Sequence, residues 1–383
     1  MKVLFVGPVS GYTSYPVVSK GLLRAFIAAG IEPVVADVTA DGSPDHTEPK
    51  FDSVKDSIRF LDQGEVVDLV HKAKLPSDDI DVCVAVNPSY HLLGIRESGV
   101  RMAGMFIGDV DSVPDSWKQL MNKQDLVLTP SSWYKQVIAE AGIKKPVMAL
   151  NHGVSSVFKP RPDCEPKRRE DGEPYVFFHP CSAVFFPERK GTPQVLQAFS
   201  QLVEEGHNVV LRLVFGMKSK PIKQLIKACS PEVRRRLQIF FFSGARAQEE
   251  IIKTYQSCDA GLFPSRAEGF GIIPLEMRAC SGVPIVQTFC TGHRDHLDPD
   301  DNPARWGIVQ VQHGPMTKAW GKMGRAPEVT VKSVYSAMKQ CLMNSDALSV
   351  ASCEMAEAVG TQWSWHETTK PLIRWLRETY ACG

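Results

Sequence analysis

At 383 residues the chain exceeds one ordinary hydrophobic core and has the length of two α/β domains. A 23% charged and 43% hydrophobic composition is that of a globular protein. Its 44 Lys plus Arg nearly balance 43 Asp plus Glu, which argues against a surface built mainly to hold nucleic acid or anionic membrane.

The chain opens on an apolar strand, Val3 to Val6, then a turn-rich loop from Gly7 to Tyr15. Pro16 to Ala29 carries a helical apolar face (Leu22, Leu23, Phe26, Ile27) closed by Gly30, and Pro33 to Val38 is a second strand. Further strands are expected at 82–86, 102–107, 126–128 and 147–150, with helical stretches between them. Residues 160–174 are proline-rich and charged, with almost nothing to bury, and read as a linker. A second series begins at Tyr175–His179 and continues through 209–215, 238–243, 260–263 and 283–287. Trp363 to Tyr380 reads as an amphipathic helix.

Strands alternating with helices imply parallel sheets covered on both faces. The expected fold class is α/β, with two Rossmann-like doubly wound domains facing a central cleft, where the strands' carboxyl ends meet a ligand. The expected division is 1–160, a linker over 161–174, 175–360, and a terminal helix over 361–383 that crosses back to the first domain. The ten cysteines show no C-x-x-C pair and no zinc spacing; Cys83, Cys181 and Cys258 read as small buried hydrophobes. Together with the lack of a signal peptide or membrane-span pattern, this sets the expectation of a reduced, cytoplasmic protein.

The most informative run extends from Leu262 to Pro284. A buried strand ends at Phe263, and a loop holding Gly269 and Gly271 lets backbone approach a ligand closely. A helix is expected to start near Pro274 and to stop at Gly282. Loop amides and a helix N-terminus make an anion site, and Glu268 and Glu276 stand at its two ends. Carboxylates beside a phosphate are poor for charge but good acceptors for sugar hydroxyls. They suit a ligand with polyhydroxyl groups flanking a diphosphate. From spacing alone, two bland readings stay open: Glu276 offsets the helix dipole, and Glu268 is solvated.

This run resembles the E-x7-E signature of the family-four retaining glycosyltransferases of the GT-B fold. The Gly-Phe-Gly loop (269–271), the Leu275-Glu276 pair and Gly282-Val283-Pro284 carry the likeness. Phe242-Ser243-Gly244, Glu188-Arg189-Lys190-Gly191, Pro130-Ser131-Ser132 and Asn151-His152-Gly153-Val154 extend it over nearly the whole chain. The resemblance implies transfer of a hexose from a UDP- or GDP-sugar to an acceptor hydroxyl on a glycan, lipid or metabolite, with retention and without an essential metal or other cofactor. It implies that Glu276 holds the donor ribose and that Glu268, with the Phe270 and Gly271 amides, holds the hexose. Lys190, with Arg189, would neutralise the diphosphate. Gly244, Gly269, Ile272 and Gly292 join the donor-binding set, and Gly11 is assigned to donor phosphate. Without the family context, Arg189-Lys190 reads as a solvated helix start.

The sequence departs from the pattern before Glu188, where the family often has a Gly-Arg and this chain has none; neutralisation then leans on Lys190. Asp109, in Gly108-Asp109-Val110-Asp111, stands where some relatives carry a Glu or His at the sugar and acceptor end. The rival readings are a metal-binding Asp-x-Asp and a turn with Asp caps. His152, His179 and His293 read as partnered polar groups rather than catalytic ones. Lys218, Lys220, Lys223, Lys227 and Arg234 to Arg236 read as a solvated basic face. Two alternatives remain beside the main reading: a hydroxymethylated DNA base as acceptor, and a non-catalytic relative that binds sugar nucleotide or glycan.

Overall fold

The computed structural model describes residues 1–10, 14–38, 58–62, 65–66, 68–69, 74–76, 79–87, 98–160, 170–181, 186–215, 219–241, 248–320 and 324–381. The chain divides into two compact units. The first comprises Met1–Gly108, Ser112–Gly153 and Ser364–Gly383; the second comprises Asp109–Asp111 and Val154–Trp363.

Among the described residues the first unit has seven strands, all paired in parallel: β1 (Lys2–Gly7), β2 (Glu32–Asp37), β3 (Arg59–Phe60), β4 (Val82–Val86), β5 (Arg101–Met105), β6 (Leu126–Thr129) and β7 (Val147–Ala149). Their order in the sheet is β3-β2-β1-β4-β5-β6-β7. Alternate residues face opposite sides of a strand. Leu4 and Val6 thus share a core with Val34, Ala36, Cys83 and Ala85, while Phe5 meets Phe26 of the helix Ser14–Ala28. The terminal helix Trp365–Ala381 packs on Ser14–Ala28 within this unit. Trp365 explains two glycines there: a Cβ at Gly21 or Gly153 would lie 2.0 or 2.5 Å from it.

Among its described residues the second unit holds six parallel strands: β8 (Tyr175–Pro180), β9 (Val209–Phe215), β10 (Leu237–Phe241), β11 (Ala260–Phe263), β12 (Ile285–Thr288) and β13 (Ile308–Val311). The order β10-β9-β8-β11-β12-β13 is that of a Rossmann sheet, with the chain reversing direction of travel between β8 and β11. Tyr175 and Phe177 enter one core with Phe199 and Leu202; Val176 and Phe178 enter the other with Tyr255, Phe270 and Trp363. Burial on both faces is why β8 and β11 read as continuous apolar runs in the sequence. A two-stranded hairpin, β14 (Met316–Lys318) and β15 (Arg325–Pro327), completes the unit.

The expected strand boundaries move by two residues at most, and two placements change in kind. Residues 154–160, expected to end the first domain, belong to the second unit, where Val154 and Phe158 lie in its core. The helix expected near Pro274 begins at Ile272 and runs to Ser281, bracketed by left-handed Gly271 and Gly282. No helix among the described residues is long and apolar enough to cross a membrane. Cys83, Cys181 and Cys258 are buried, as expected of small hydrophobes.

Candidate active site

In a doubly wound sheet, ligands gather at the carboxyl ends of the strands that flank the topological switch. In the second unit those strands are β8 and β11. The segment after β8 leads to a single 3-10 turn, Pro187–Lys190, that ends on left-handed Gly191 (φ 71°) and feeds the helix Thr192–Glu204. A side chain at Gly191 would strike the Pro264 carbonyl, 2.4 Å from its Cβ, so the turn lies directly against the segment leaving β11. The two segments are joined further by the Arg266 amide donating to the Arg189 carbonyl at 2.9 Å. Backbone contact therefore delivers Arg189 and Lys190 to the start of the Glu268 loop.

Four charged side chains meet there. The Lys190 ammonium donates to the Glu268 carboxylate, and Ser265 Oγ donates to the same oxygen at 2.7 Å. An Arg189 nitrogen lies 3.7 Å from the other Glu268 oxygen, and it donates to Asp109 at 3.0 Å and to the Ala267 carbonyl at 3.2 Å. The side chains of Lys190 and Glu268 are 11% and 8% exposed. The readings of a solvated glutamate and a solvated Arg-Lys pair therefore fall. Burial works to raise the Glu268 pKa, but Lys190 and Arg189 overrule it and hold the carboxyl well below its ordinary range. Asp109 shifts the other way: burial raises it, against the pull of Arg189.

The Glu268 backbone is fixed as firmly as its side chain. Its amide donates to Thr291 Oγ1 at 2.9 Å, and its carbonyl accepts from the Gly292 amide at 2.9 Å. Thr291 holds that position with φ 49°, a left-handed conformation that a β-branched residue adopts only under constraint. Glu268 is thus buried and held through both backbone and carboxylate.

Gly271 is the N-cap of the helix Ile272–Ser281, with φ 84° and no side chain capping that end. A Cβ there would sit 2.3 Å from His293 Nε2. His293 is 1% exposed, with Nδ1 3.2 Å from the Thr288 carbonyl. That contact makes Nδ1 the donor and leaves Nε2 as an acceptor facing Gly271, without a partner among the described residues. Burial pushes the His293 pKa down to about 4, so the ring is neutral. His179, by contrast, has both nitrogens engaged, to the Leu262 carbonyl and Thr192 Oγ1, and His152 packs its ring on Trp365.

Glu276 lies in the second turn of its helix rather than at the start, because the helix begins at Ile272. The dipole reading falls with that correction, since the macrodipole acts within the first turn. Glu276 is 8% exposed; burial raises its pKa to about 7, partly offset by a hydrogen bond from the Tyr255 hydroxyl. Tyr255 is itself buried, edge-on to Phe178 at 5.4 Å. Phe270 uses its ring as core, 5.0 Å from His296 and 5.6 Å from Trp363, and its carbonyl accepts from His296 Nε2.

Among the expected site residues, Asp109, Arg189, Lys190, Glu268, Gly269, Phe270, Gly271, Ile272, Glu276 and Gly292 all fall on the second unit. Gly11 and Gly244 lie outside the described residues. Asp109 and Asp111 each face an arginine, Asp111 accepting from Arg325 Nε at 2.8 Å, so the Asp-x-Asp pair is engaged in ion pairs. Among the described residues no three His, Cys, Asp or Glu side chains converge to hold a metal. Ser265, Thr291, Tyr255 and His293 were not singled out as site residues by the sequence. Each acts across 3 to 23 residues of chain on a glutamate or glycine, a relation that spacing does not carry.

Residues 165–305 match the family described as glycosyl transferases group 1. The D-inositol 3-phosphate glycosyltransferase of Corynebacterium urealyticum is 28% identical over 192 residues, covering 49% of this chain and 40% of that protein. The similarity therefore spans well under two thirds of that relative. Over the whole chain, solved structures match almost end to end. A glycosyltransferase from Rickettsia africae superposes with a TM-score of 0.68 at 15% identity, covering 99% of this chain and 98% of that one. Anabaena HepE in complex with UDP-glucose gives 0.67 at 15%, covering all of both chains. The α,α-trehalose 6-phosphate synthase of Burkholderia multivorans gives 0.63 at 12%, covering 100% and 97%. The fold is GT-B.

Proposed function

We propose that the chain is a retaining glycosyltransferase that moves a hexose from a nucleoside diphosphate sugar to an acceptor hydroxyl. The observation that carries the reading is the cluster of Lys190, Arg189 and Glu268 at the β8/β11 switch, beside a helix start with no side-chain cap. A diphosphate entering there meets two cations and the amides of Gly271 and Ile272, which suits a dianionic leaving group. Glu268, ionised and aimed by Ser265, accepts from hexose hydroxyls once the cations turn to the phosphate. Glu276, held by Tyr255, accepts from the ribose. The solved relative in complex with UDP-glucose supports a donor of this class.

In the transfer, the bond from the anomeric carbon to the phosphate oxygen breaks as the acceptor oxygen bonds to the same carbon from the same face. The acceptor proton passes to the departing phosphate, and Lys190 and Arg189 stabilise its charge. Glycans, lipids and metabolites all offer the hydroxyl required, and the reaction asks no metal of these residues. A panel of UDP- and GDP-hexoses, read by nucleoside diphosphate release, tests the reading. Glu276→Ala should raise the donor KM and Lys190→Ala should lower kcat. If neither changes turnover with any accepted donor the site assignment fails; if no nucleotide binds, the enzyme reading fails.

A further inference from the structure

Arg278 belongs to no part of the site above. It follows Glu276 by two residues on one helix, which turns its side chain about 200° away from that carboxylate. It is 2% exposed, among the largest fully buried side chains of the protein. Among the described residues neither terminal nitrogen has a hydrogen-bond partner. Its guanidinium lies over the Trp306 ring, 5.4 Å from the centroid. His296, which feels the Arg278 charge, is kept neutral, first by burial and then by His293 and Arg278. A guanidinium does not lose its proton at neutral pH, and a buried charge without a partner is among the costliest things a core can hold.

The surroundings offer further donors. Trp306 Nε1, on the rim of the ring beneath Arg278, is buried and unpartnered among the described residues, and so is Ser352 Oγ. Ser352 adjoins through Gly307, the residue after Trp306, whose Cβ would lie 1.8 Å from that oxygen. One buried positive charge, with unpartnered donor groups on the adjoining Trp306 and Ser352, describes the complement of a single negative charge.

We propose that Arg278, with Trp306 Nε1 and Ser352 Oγ, holds a buried monovalent anion of the halide class, separate from the donor site. The charge of one guanidinium selects a monovalent ion over phosphate or sulfate, and among the described residues no carboxylate bonds to its terminal nitrogens. The ion locks the end of the helix Ile272–Ser281 against the 3-10 turn Pro303–Trp306 and the helix Ser345–Gln362, which meet at this point.

The test uses the full chain. Thermal unfolding is followed as sodium chloride or bromide replaces sodium gluconate at fixed ionic strength. The wild type should gain several degrees with saturation in the millimolar range, Arg278→Met should show no halide response, and Trp306→Phe should need more halide. Arg278→Met keeps the volume and removes the charge, so it is expected to fold. Should it fail to, wild-type crystals soaked in bromide give an independent answer, with an anomalous peak within hydrogen-bond distance of Arg278. A halide response equal in wild type and Arg278→Met overturns the proposal. So does the absence of any response, or a bromide-free site in which an ordered water completes the guanidinium.

Discussion

Lys190 and Glu268 lie 78 residues apart and form one buried ion pair, with Ser265 on the same carboxylate oxygen and Arg189 near the other. Breaking such a pair from one side leaves an uncompensated charge inside the protein, whereas removing both partners does not. Lys190→Met is therefore expected to destabilise the fold by about 3 kcal/mol, moderated by Arg189 at 3.7 Å. Lys190→Met/Glu268→Gln should recover most of that loss while staying inactive. Urea unfolding of the wild type, both single variants and the double variant measures the coupling; additivity within about 0.5 kcal/mol would show that the pair is not coupled.

Glu276 gives stability an unusual pH dependence. Its folded pKa, about 7, is above its unfolded value of 4.5, so the folded chain binds the proton more tightly. Stability then falls as pH rises from about 4.5 to about 7 and is flat above that, the reverse of the usual carboxylate. A shift of that size corresponds to roughly 3 kcal/mol. Glu276→Gln should therefore match the wild type near pH 4.5 and exceed it at pH 8. Glu268, depressed, acts with the opposite sign: its contribution is present above the unfolded value and is lost on acidification. Measuring the wild type against Glu276→Gln at each pH removes that common background.

Most strand positions are legible in the sequence because buried parallel strands are largely apolar runs: 82–86, 209–215 and 260–263 coincide with the strands found. The cluster around Glu268 is legible in composition but not in connection. Spacing places Lys190 and Glu268 near a helix start, yet their mutual pairing depends on Gly191 meeting Pro264, a contact over more than seventy residues. The helix start was displaced from Pro274 to Ile272 because Gly271 supplies the left-handed turn, and proline is tolerated through the first turn without defining its first residue. Nothing local marks Tyr255 or Arg278, whose significance is the burial of a charge that only the packed core reveals.

Tyr255 is a positioning residue for Glu276. Tyr255→Phe retains the ring contacts with Phe178 and Phe158 and removes the hydroxyl that donates to the carboxylate. Because that bond favours the charged form, its loss should raise the Glu276 pKa further above about 7. The acidic limb of the donor KM profile should then move to higher pH, with kcat at high pH little changed and stability lowered by about 1 kcal/mol. A uniform loss of kcat and KM with an unmoved limb would make Tyr255 a packing residue only.

Gly271 is constrained twice, and the two constraints separate experimentally. Alanine there must adopt φ 84° and also place its Cβ 2.3 Å from His293 Nε2. The left-handed conformation alone costs about 1–2 kcal/mol, and the overlap adds to it unless His293 moves. Gly271→Ala should thus lose at least about 2 kcal/mol. His293→Ala removes the obstacle but leaves a cavity beside the helix start. In Gly271→Ala/His293→Ala the new methyl occupies part of that cavity, so the double variant should be more stable than the two single losses added together. The sign of that coupling is the measurement that matters. A coupling of zero would mean that the His293 ring already swings clear of residue 271, and that the backbone conformation alone demands glycine at the start of this helix.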